Sequence, residues 1–163
     1  MKDGKLQIYC GNGKGKTTAA IGQAIREASK GRSVFIVQFL KGKQEEEISF
    51  IKRLEPEIKL FRFQKREEAF ENLTEQEKEE EIPNLKNGLN FARKVLATGE
   101  CDVLILDEVL GLPEREIATL EELHSLLEAA ENTDLIFTGI RLYPEMLEWA
   151  DEVYEISVLK GLE

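Results

Sequence analysis

Cys10-Gly11-Asn12-Gly13-Lys14-Gly15-Lys16-Thr17, CGNGKGKT in one-letter code, departs by one residue from the phosphate-binding pattern G-x-x-x-x-G-K-[ST]: cysteine stands where that pattern begins with glycine. Before it, Leu6 to Tyr9 is a short apolar run, and after it Ala20, Ile21, Ala24, Ile25 and Ala28 recur at helical spacing. Strand, glycine-rich loop and helix in that order form the context in which the pattern holds phosphate rather than merely turning the chain. Gly11, Gly13 and Gly15 permit backbone angles that let successive N–H groups face phosphate oxygens, and the helix starting near Lys16 adds the positive end of its dipole. Lys16 is expected on the terminal phosphates and the Thr17 hydroxyl on Mg²⁺, while Lys14 supplies a second ammonium. With Cys10 at the strand exit the cradle survives from Gly11 onward and triphosphate binding is expected to be kept, while the direction in which the nucleoside leaves the loop need not be that of common kinases and GTPases.

The rest of the chain sets the frame for this loop. At 163 residues with 42% apolar composition, residues 1–163 are expected to form a single domain around one core. The excess of 32 acidic over 22 basic residues, a formal charge of -10, weighs against binding to nucleic acid or to an anionic membrane. No run approaches the roughly 18 apolar residues of a membrane span, and the amino terminus lacks a signal-like apolar core, so a cytoplasmic location is expected. Cys10 and Cys101 each lie beside an apolar run and form no CxxC pair, which predicts buried thiols.

Gly31 closes the first helix, and Val34 to Leu40 reads as a strand apolar on both faces. A helix from about Glu45 to Leu54 and an alternating strand from Ile58 to Phe63 follow. Residues 64–83, with Glu75 to Glu81 nearly all charged, read as a solvated helix face or a mobile segment. The spacing of Leu85, Leu89, Ala92, Val95 and Leu96 predicts an amphipathic helix from Asn84 to Leu96, stopped by Gly99. Val103 to Leu106 is the most apolar strand. Pro113 is expected to open a helix running to about Ala130, Leu135 to Thr138 to form a fifth strand, Pro144 to Ala150 a short helix, and Val153 to Ile156 a sixth strand. Strands separated by helices predict an α/β fold: a three-layer parallel sheet with helices on both faces.

Ligands of such sheets bind beyond the carboxyl ends of the strands. There the sequence places the glycine loop, then Lys41 and Lys43, then Lys65 and Arg66, then Asp107 and Glu108, then Thr138, Gly139 and Arg141. Cations after several strands of an acidic protein suggest a local anion site. The carboxylates of Asp107 and Glu108, after an apolar strand, are the expected partners of a metal on the phosphates. His124, Phe70 and Trp149 read as a surface residue and two packing residues.

Gly11 to Ala20 (GNGKGKTTAA), Val37 to Gly42 (VQFLKG), Leu106-Asp107-Glu108, Thr138-Gly139 followed by Arg141, and Ala150-Asp151 resemble, in order and over nearly the whole chain, the phosphate-loop ATP:corrinoid adenosyltransferases. Members of that family share a non-glycine residue before GNGKGKT. The resemblance implies a P-loop NTPase fold of the RecA-like kind, a homodimer, and transfer of the 5′-deoxyadenosyl group of ATP to cobalt(I) of a reduced corrinoid, with release of triphosphate and a reductase supplying cobalt(I). It also implies a nucleotide lying reversed in the loop. Carried over by position, Gly11, Asn12, Gly13, Lys14, Gly15, Lys16, Thr17 and Thr18, with Lys41 and Arg141, would bind ATP. Lys16, Thr17 and Glu108 would serve the reaction, and Thr17, Glu108 and Asp107 would hold Mg²⁺. Where relatives carry an aromatic segment such as GFTW, expected over the corrinoid, this chain has Gln64-Lys65-Arg66-Glu67-Glu68-Ala69-Phe70. The family's TGR is interrupted here as Thr138-Gly139-Ile140-Arg141, and the chain ends at Glu163, where relatives continue.

The residues by themselves leave two other readings open. One is a different Mg-ATP-dependent kinase or hydrolase, with Glu108 as base or water-orienting group. The other is a regulator that binds nucleotide or corrinoid without turnover.

Overall fold

The computed structural model describes residues 3–42 and 50–161. Lys43 and the first half of the helix expected from Glu45 to Leu54 lie outside them; residues 50–52 are helical. Six strands form one sheet: β1 Leu6–Cys10, β2 Val34–Gln38, β3 Ile58–Arg62, β4 Val103–Asp107, β5 Asp134–Thr138 and β6 Glu152–Glu155. The spatial order is β3-β2-β4-β5-β1-β6 and every neighbouring pair is parallel. The chain moves toward the β3 edge and then reverses. Helix α1 (Lys16–Ser29) therefore covers one face, and α2 (Glu75–Thr98) and α3 (Leu120–Ala129) the other, while α4 (Pro144–Trp149) leads into β6.

Both faces are apolar because alternate residues of each strand go to opposite sides. Val34, Ile36, Val103, Ile105 and Ile136 pack with Ala20 and Ala24 of α1, while Val37, Leu104, Leu106, Leu135 and Phe137 join Leu85, Leu89, Leu123 and Leu126 from α2 and α3. Each fully buried Leu, Ile or Phe contributes about 1.5–3 kcal/mol of transfer free energy, so the two layers fix the sheet in place beneath its loops.

Two helices start elsewhere than the spacing predicts. Helix α2 begins at Glu75, not Asn84: Thr74 caps it, with a reciprocal pair of bonds to Glu77, and the glutamate-rich stretch is helical through Pro83. Apolar spacing is absent from that first part because its glutamates work outward. Glu77 and Glu80 pair with Arg66, and buried Glu81 accepts the N–H groups of Lys65 and Arg66 at 3.0 and 2.9 Å. Pro113 opens no long helix. A short 3₁₀ turn at Val109–Gly111 and a series of turns, with Glu116 at φ 57°, lead to Thr119, whose capping box with Glu122 starts α3.

Candidate functional site

Under α1 the sheet presents successive rows across β2, β4 and β5. The row Ile36–Ile105–Ile136 is apolar, and two residues further along comes Gln38–Asp107–Thr138. The sheet face thus turns polar at its carboxyl end, where α1 starts and can no longer cover it. All three side chains are buried, Asp107 to 1% exposure and Thr138 to 0%.

The loop between β1 and α1 stands over this row. Its amino half is built into the sheet edge: Gly11 N–H donates to Ile140 O at 3.0 Å, Gly13 N–H to Ile156 O at 2.9 Å, and Ile156 N–H to Cys10 O at 2.8 Å. A Cβ on Gly11 would come within 2.3 Å of Ile156 O, so close backbone approach requires glycine there, as does its φ of 106°. The carboxyl half is open. Gly15, also at φ 106°, precedes α1 without any side-chain cap, and Asn12, Lys14, Gly15 and Thr18 are exposed. The first intrahelical donor is Ala19 N–H, which leaves the amides of Lys16, Thr17 and Thr18 for another acceptor.

Asp107 gathers the side chains. The Thr17 hydroxyl donates to it at 3.0 and 3.1 Å from its two oxygens, the Thr138 hydroxyl at 2.6 Å and the Gln38 amide at 3.3 Å. The Lys41 ammonium lies 2.9 Å from Asp107 Oδ2 and also donates to the Thr17 hydroxyl. Lys16 donates to Gly13 O at 2.8 Å, within its own loop. Glu108, next in sequence, is in the left-handed region at φ 65° with its N–H on Thr138 Oγ1 at 2.8 Å. Burial, and Asp107 beside it, raise the Glu108 pKa above the ordinary carboxylate value, against the pull of Lys41, Lys16 and Arg115.

The expected residues sort as follows. Lys16, Thr17, Lys41, Asp107 and Glu108 come together at the mouth of the loop. Arg66 is turned away onto Glu77 and Glu80 at 2.9 and 2.6 Å, and exposed Arg141 stacks 4.6 Å over the Tyr143 ring. His124 is a surface residue, 45% exposed and 3.4 Å from Glu128, and Phe70 is core, with its N–H on Leu40 O. Trp149 is half-buried against the core beside His124. Both thiols are buried; burial raises the Cys10 pKa and pushes Cys101 up to about 12, so neither is an active nucleophile. The sequence places Thr138 beyond the fifth strand without a role and does not identify Gln38 as a member of the site. Their signal is a polar residue ending an otherwise apolar strand, but it has meaning only once the strand pairing is known.

Gly42 and Gly139 shape the rim. A Cβ on Gly42 would meet Glu67 O at 2.2 Å, and one on Gly139 would meet Leu110 Cβ at 2.3 Å, so the loops after β2 and β5 are held against their neighbours.

Among the described residues no group of three or more His, Cys, Asp or Glu side chains is placed to hold a metal ion. Asp107, Glu108 and the Thr17 hydroxyl instead make a small set of hard oxygens. Beside them the buried Gln38 Oε1 has no hydrogen-bond partner among the described residues. This suits Mg²⁺, which is held by one or two carboxylates together with substrate phosphates and its own waters.

The family model described as ATP:corrinoid adenosyltransferase BtuR/CobO/CobP matches residues 2–161. A corrinoid adenosyltransferase of Escherichia coli (strain K12) is 33% identical over 158 residues, which cover 96% of this chain and 78% of that protein. Corrinoid adenosyltransferase CobA of Salmonella typhimurium is 31% identical over the same shares of the two chains. In three dimensions the chain is similar to the KaiC-like protein PH0186 of Pyrococcus horikoshii OT3, with a TM-score of 0.63 at 19% identity, covering 99% of this chain and 76% of that one. That likeness shows the fold, a P-loop NTPase of the RecA-like kind.

Proposed function

This chain belongs to the ATP:corrinoid adenosyltransferase family, and from that premise we propose which of its residues carry the reaction and how. The enzyme is a transferase whose substrates are ATP and a reduced corrinoid. Cobalt(I) gives an electron pair to the ribose C5′, the C5′–O bond breaks, and triphosphate leaves with the electrons of that bond. So strong a nucleophile needs no protein base. What the protein has to supply is alignment and a place for charge on the departing triphosphate.

The polyphosphate lies along the open half of the loop, residues 14–18, where amides that precede the first intrahelical donor, Ala19 N–H, meet the positive end of α1. Lys16 exchanges Gly13 O for a phosphate oxygen, Lys14 adds charge, and Lys41 stands across from them on Asp107. Gly11 and Gly13 shape the site, since their N–H groups are bonded to protein carbonyls. Mg²⁺ would be held by Thr17 with Asp107 and Glu108, and when bound it supplies charge neutralisation on the phosphates. Arg141 reaches the nucleotide only if it leaves the Tyr143 ring. A homodimer and a reductase supplying cobalt(I) are inferred from the family resemblance. A cytoplasmic location is part of the same proposal; among the described residues no helix is long and apolar enough to cross a membrane.

The observation that carries the assignment is the convergence of Thr17 and Lys41 on Asp107. It joins the loop to β4 across 90 residues of sequence. The test is anaerobic incubation with ATP, Mg²⁺ and chemically reduced cobalamin, following the absorption of the cobalt–carbon bond and identifying the phosphate product. Adenosyl transfer yields intact triphosphate. Formation of ADP would overturn the reading in favour of a kinase or hydrolase, and tight ATP binding with no product in favour of a regulator.

A further inference from the structure

Thr138 fixes both carboxylate residues of the site through one hydroxyl group. Its Oγ1 donates to Asp107 Oδ1 at 2.6 Å and accepts the Glu108 N–H at 2.8 Å, and the side chain is fully buried. A hydroxyl has a single proton and two acceptor positions. With the Glu108 N–H pointing at the oxygen, that proton is free only for the carboxylate, so the two bonds define each other. Glu108 is one of three non-glycine residues at positive φ among the described residues, a conformation that disfavours side chains and persists where neighbours hold it. Packing alone does not call for a hydroxyl here. Two residues earlier on the same face the chain has Ile136, in line with Ile105 and Ile36, and a valine would fill the volume of Thr138 while leaving the Glu108 N–H without this acceptor.

We propose that Thr138 is a positioning residue for adenosyl transfer: it turns the Asp107 carboxylate toward the Thr17 hydroxyl and, through the Glu108 amide, sets where the Glu108 carboxyl group stands. The proposal rests on the reading of Thr17, Asp107 and Glu108 as the metal-binding group. It predicts that the hydroxyl matters to binding of magnesium-ATP far more than to binding of ATP alone, because the loop amides and Lys16 hold the phosphates without it.

The test compares the full-length wild type with Thr138→Val and Thr138→Ser, with folding checked by circular dichroism. The readouts are the kcat and KM for ATP, the Mg²⁺ concentration giving half-maximal rate, and calorimetric titration with ATP in the presence of Mg²⁺ or of EDTA. Loss of a group that orients a metal ligand typically costs about 10–100-fold in metal affinity or activity, so T138V should lose about that in Mg²⁺ requirement or kcat while its affinity for ATP in EDTA stays within about twofold, with T138S within about threefold of wild type. The proposal is overturned if T138V matches wild type, if it weakens ATP binding equally with and without Mg²⁺, or if T138S is as impaired as T138V. Should T138V not fold, Thr138→Cys, whose thiol is a weak donor, takes its place: a raised Mg²⁺ requirement supports the proposal and a wild-type response overturns it. Wild-type turnover indifferent to Mg²⁺ would remove the metal reading itself and the proposal with it, whereas a Mg²⁺-dependent wild type matched by T138V removes only the role of Thr138.

Discussion

Replacing Asp107 by asparagine takes away one charge and half of the acceptor capacity at the point where Thr17, Gln38, Lys41 and Thr138 converge. An amide has one oxygen, and neither orientation serves all four. With its NH₂ in place of Oδ2 it confronts the Lys41 ammonium, 2.9 Å away, and the Gln38 amide at 3.3 Å. With its NH₂ in place of Oδ1 it faces the Thr138 hydroxyl at 2.6 Å, whose oxygen already accepts the Glu108 N–H and whose proton loses its acceptor. Breaking a fully buried ion pair costs about 3–5 kcal/mol. The Lys41 side chain is 18% exposed, so water takes up part of its charge and about 2 kcal/mol is the expected share. The donor left without an acceptor adds about 1 kcal/mol. For a chain of this size the sum of about 3 kcal/mol lowers Tm by roughly 6–12 °C. The assay is urea and thermal unfolding at neutral pH on D107N, Lys41→Met and the double variant. Because most of the loss is an uncompensated ammonium, the double variant should recover about 1–3 kcal/mol relative to the sum of the singles. A D107N midpoint equal to wild type, or strictly additive singles, would refute the reasoning.

Three further outcomes follow from the same geometry. Lys16→Ala should cut the initial rate of cobalt–carbon bond formation by about 10²–10³-fold, the scale for losing one donor at developing negative charge. Its only hydrogen bond among the described residues is local, to Gly13 O, so stability should fall by less than about 1 kcal/mol, and an unchanged rate would defeat the assignment. Gly22→Ala, inside α1 with open space around the added methyl, should raise stability by about 0.5–1 kcal/mol. Gly11→Ala, at φ 106° and 2.3 Å from Ile156 O, should lower it by about 3 kcal/mol, and equal urea midpoints for the two variants would contradict the loop geometry. For Glu108, burial raises the pKa in the folded chain, so the folded state keeps its proton where the unfolded state has lost it, and stability declines as pH rises through that interval. Glu108→Gln should therefore be more stable than wild type above about pH 5 and lose the advantage below about pH 4, measured as urea midpoints; a gap independent of pH would count against it.

The parallel sheet and the strand-loop-helix start were legible because each rests on local signals: apolar runs of strand length, and glycines beside Lys16 and Thr17. The start of α2 was obscured by two features. Glu75 to Glu81 carries its helical preference in glutamate rather than in apolar spacing, and Pro83 reads as a boundary although it lies inside the helix. In both misplaced helices the informative signal was the capping box, Thr74 with Glu77 and Thr119 with Glu122, and not the proline. The cation count after the strands was a poorer guide to the site. Arg66 is claimed by two glutamates of α2, whereas Lys41 reaches Asp107, and nothing local distinguishes the two. Gln38 and Thr138 needed long-range information of another kind. Their neighbours across the sheet are 69 and 31 residues away, so the strand order had to be known before the polar row could be seen.

The cysteine that opens the phosphate loop is explained by where the chain turns. Cys10 is still part of β1, paired with Glu155, and its carbonyl accepts the Ile156 N–H. A residue in regular strand geometry has no use for the freedom of glycine, and a glycine there would forfeit a side chain that is 3% exposed in the core. The left-handed conformations fall one residue later, at Gly11, and again at Gly15. Between them Gly11 and Gly13 give their N–H groups to Ile140 and Ile156, so the amino half of the loop is closed by the ends of β5 and β6. In the proposed site, phosphate is then gripped from the carboxyl half, by the start of α1 and its lysines. We propose that the nucleoside leaves on a side not filled by residues 140 and 156. A strand that continues to Cys10 and a sixth strand sealed against the loop are thus consequences of one arrangement of backbone hydrogen bonds.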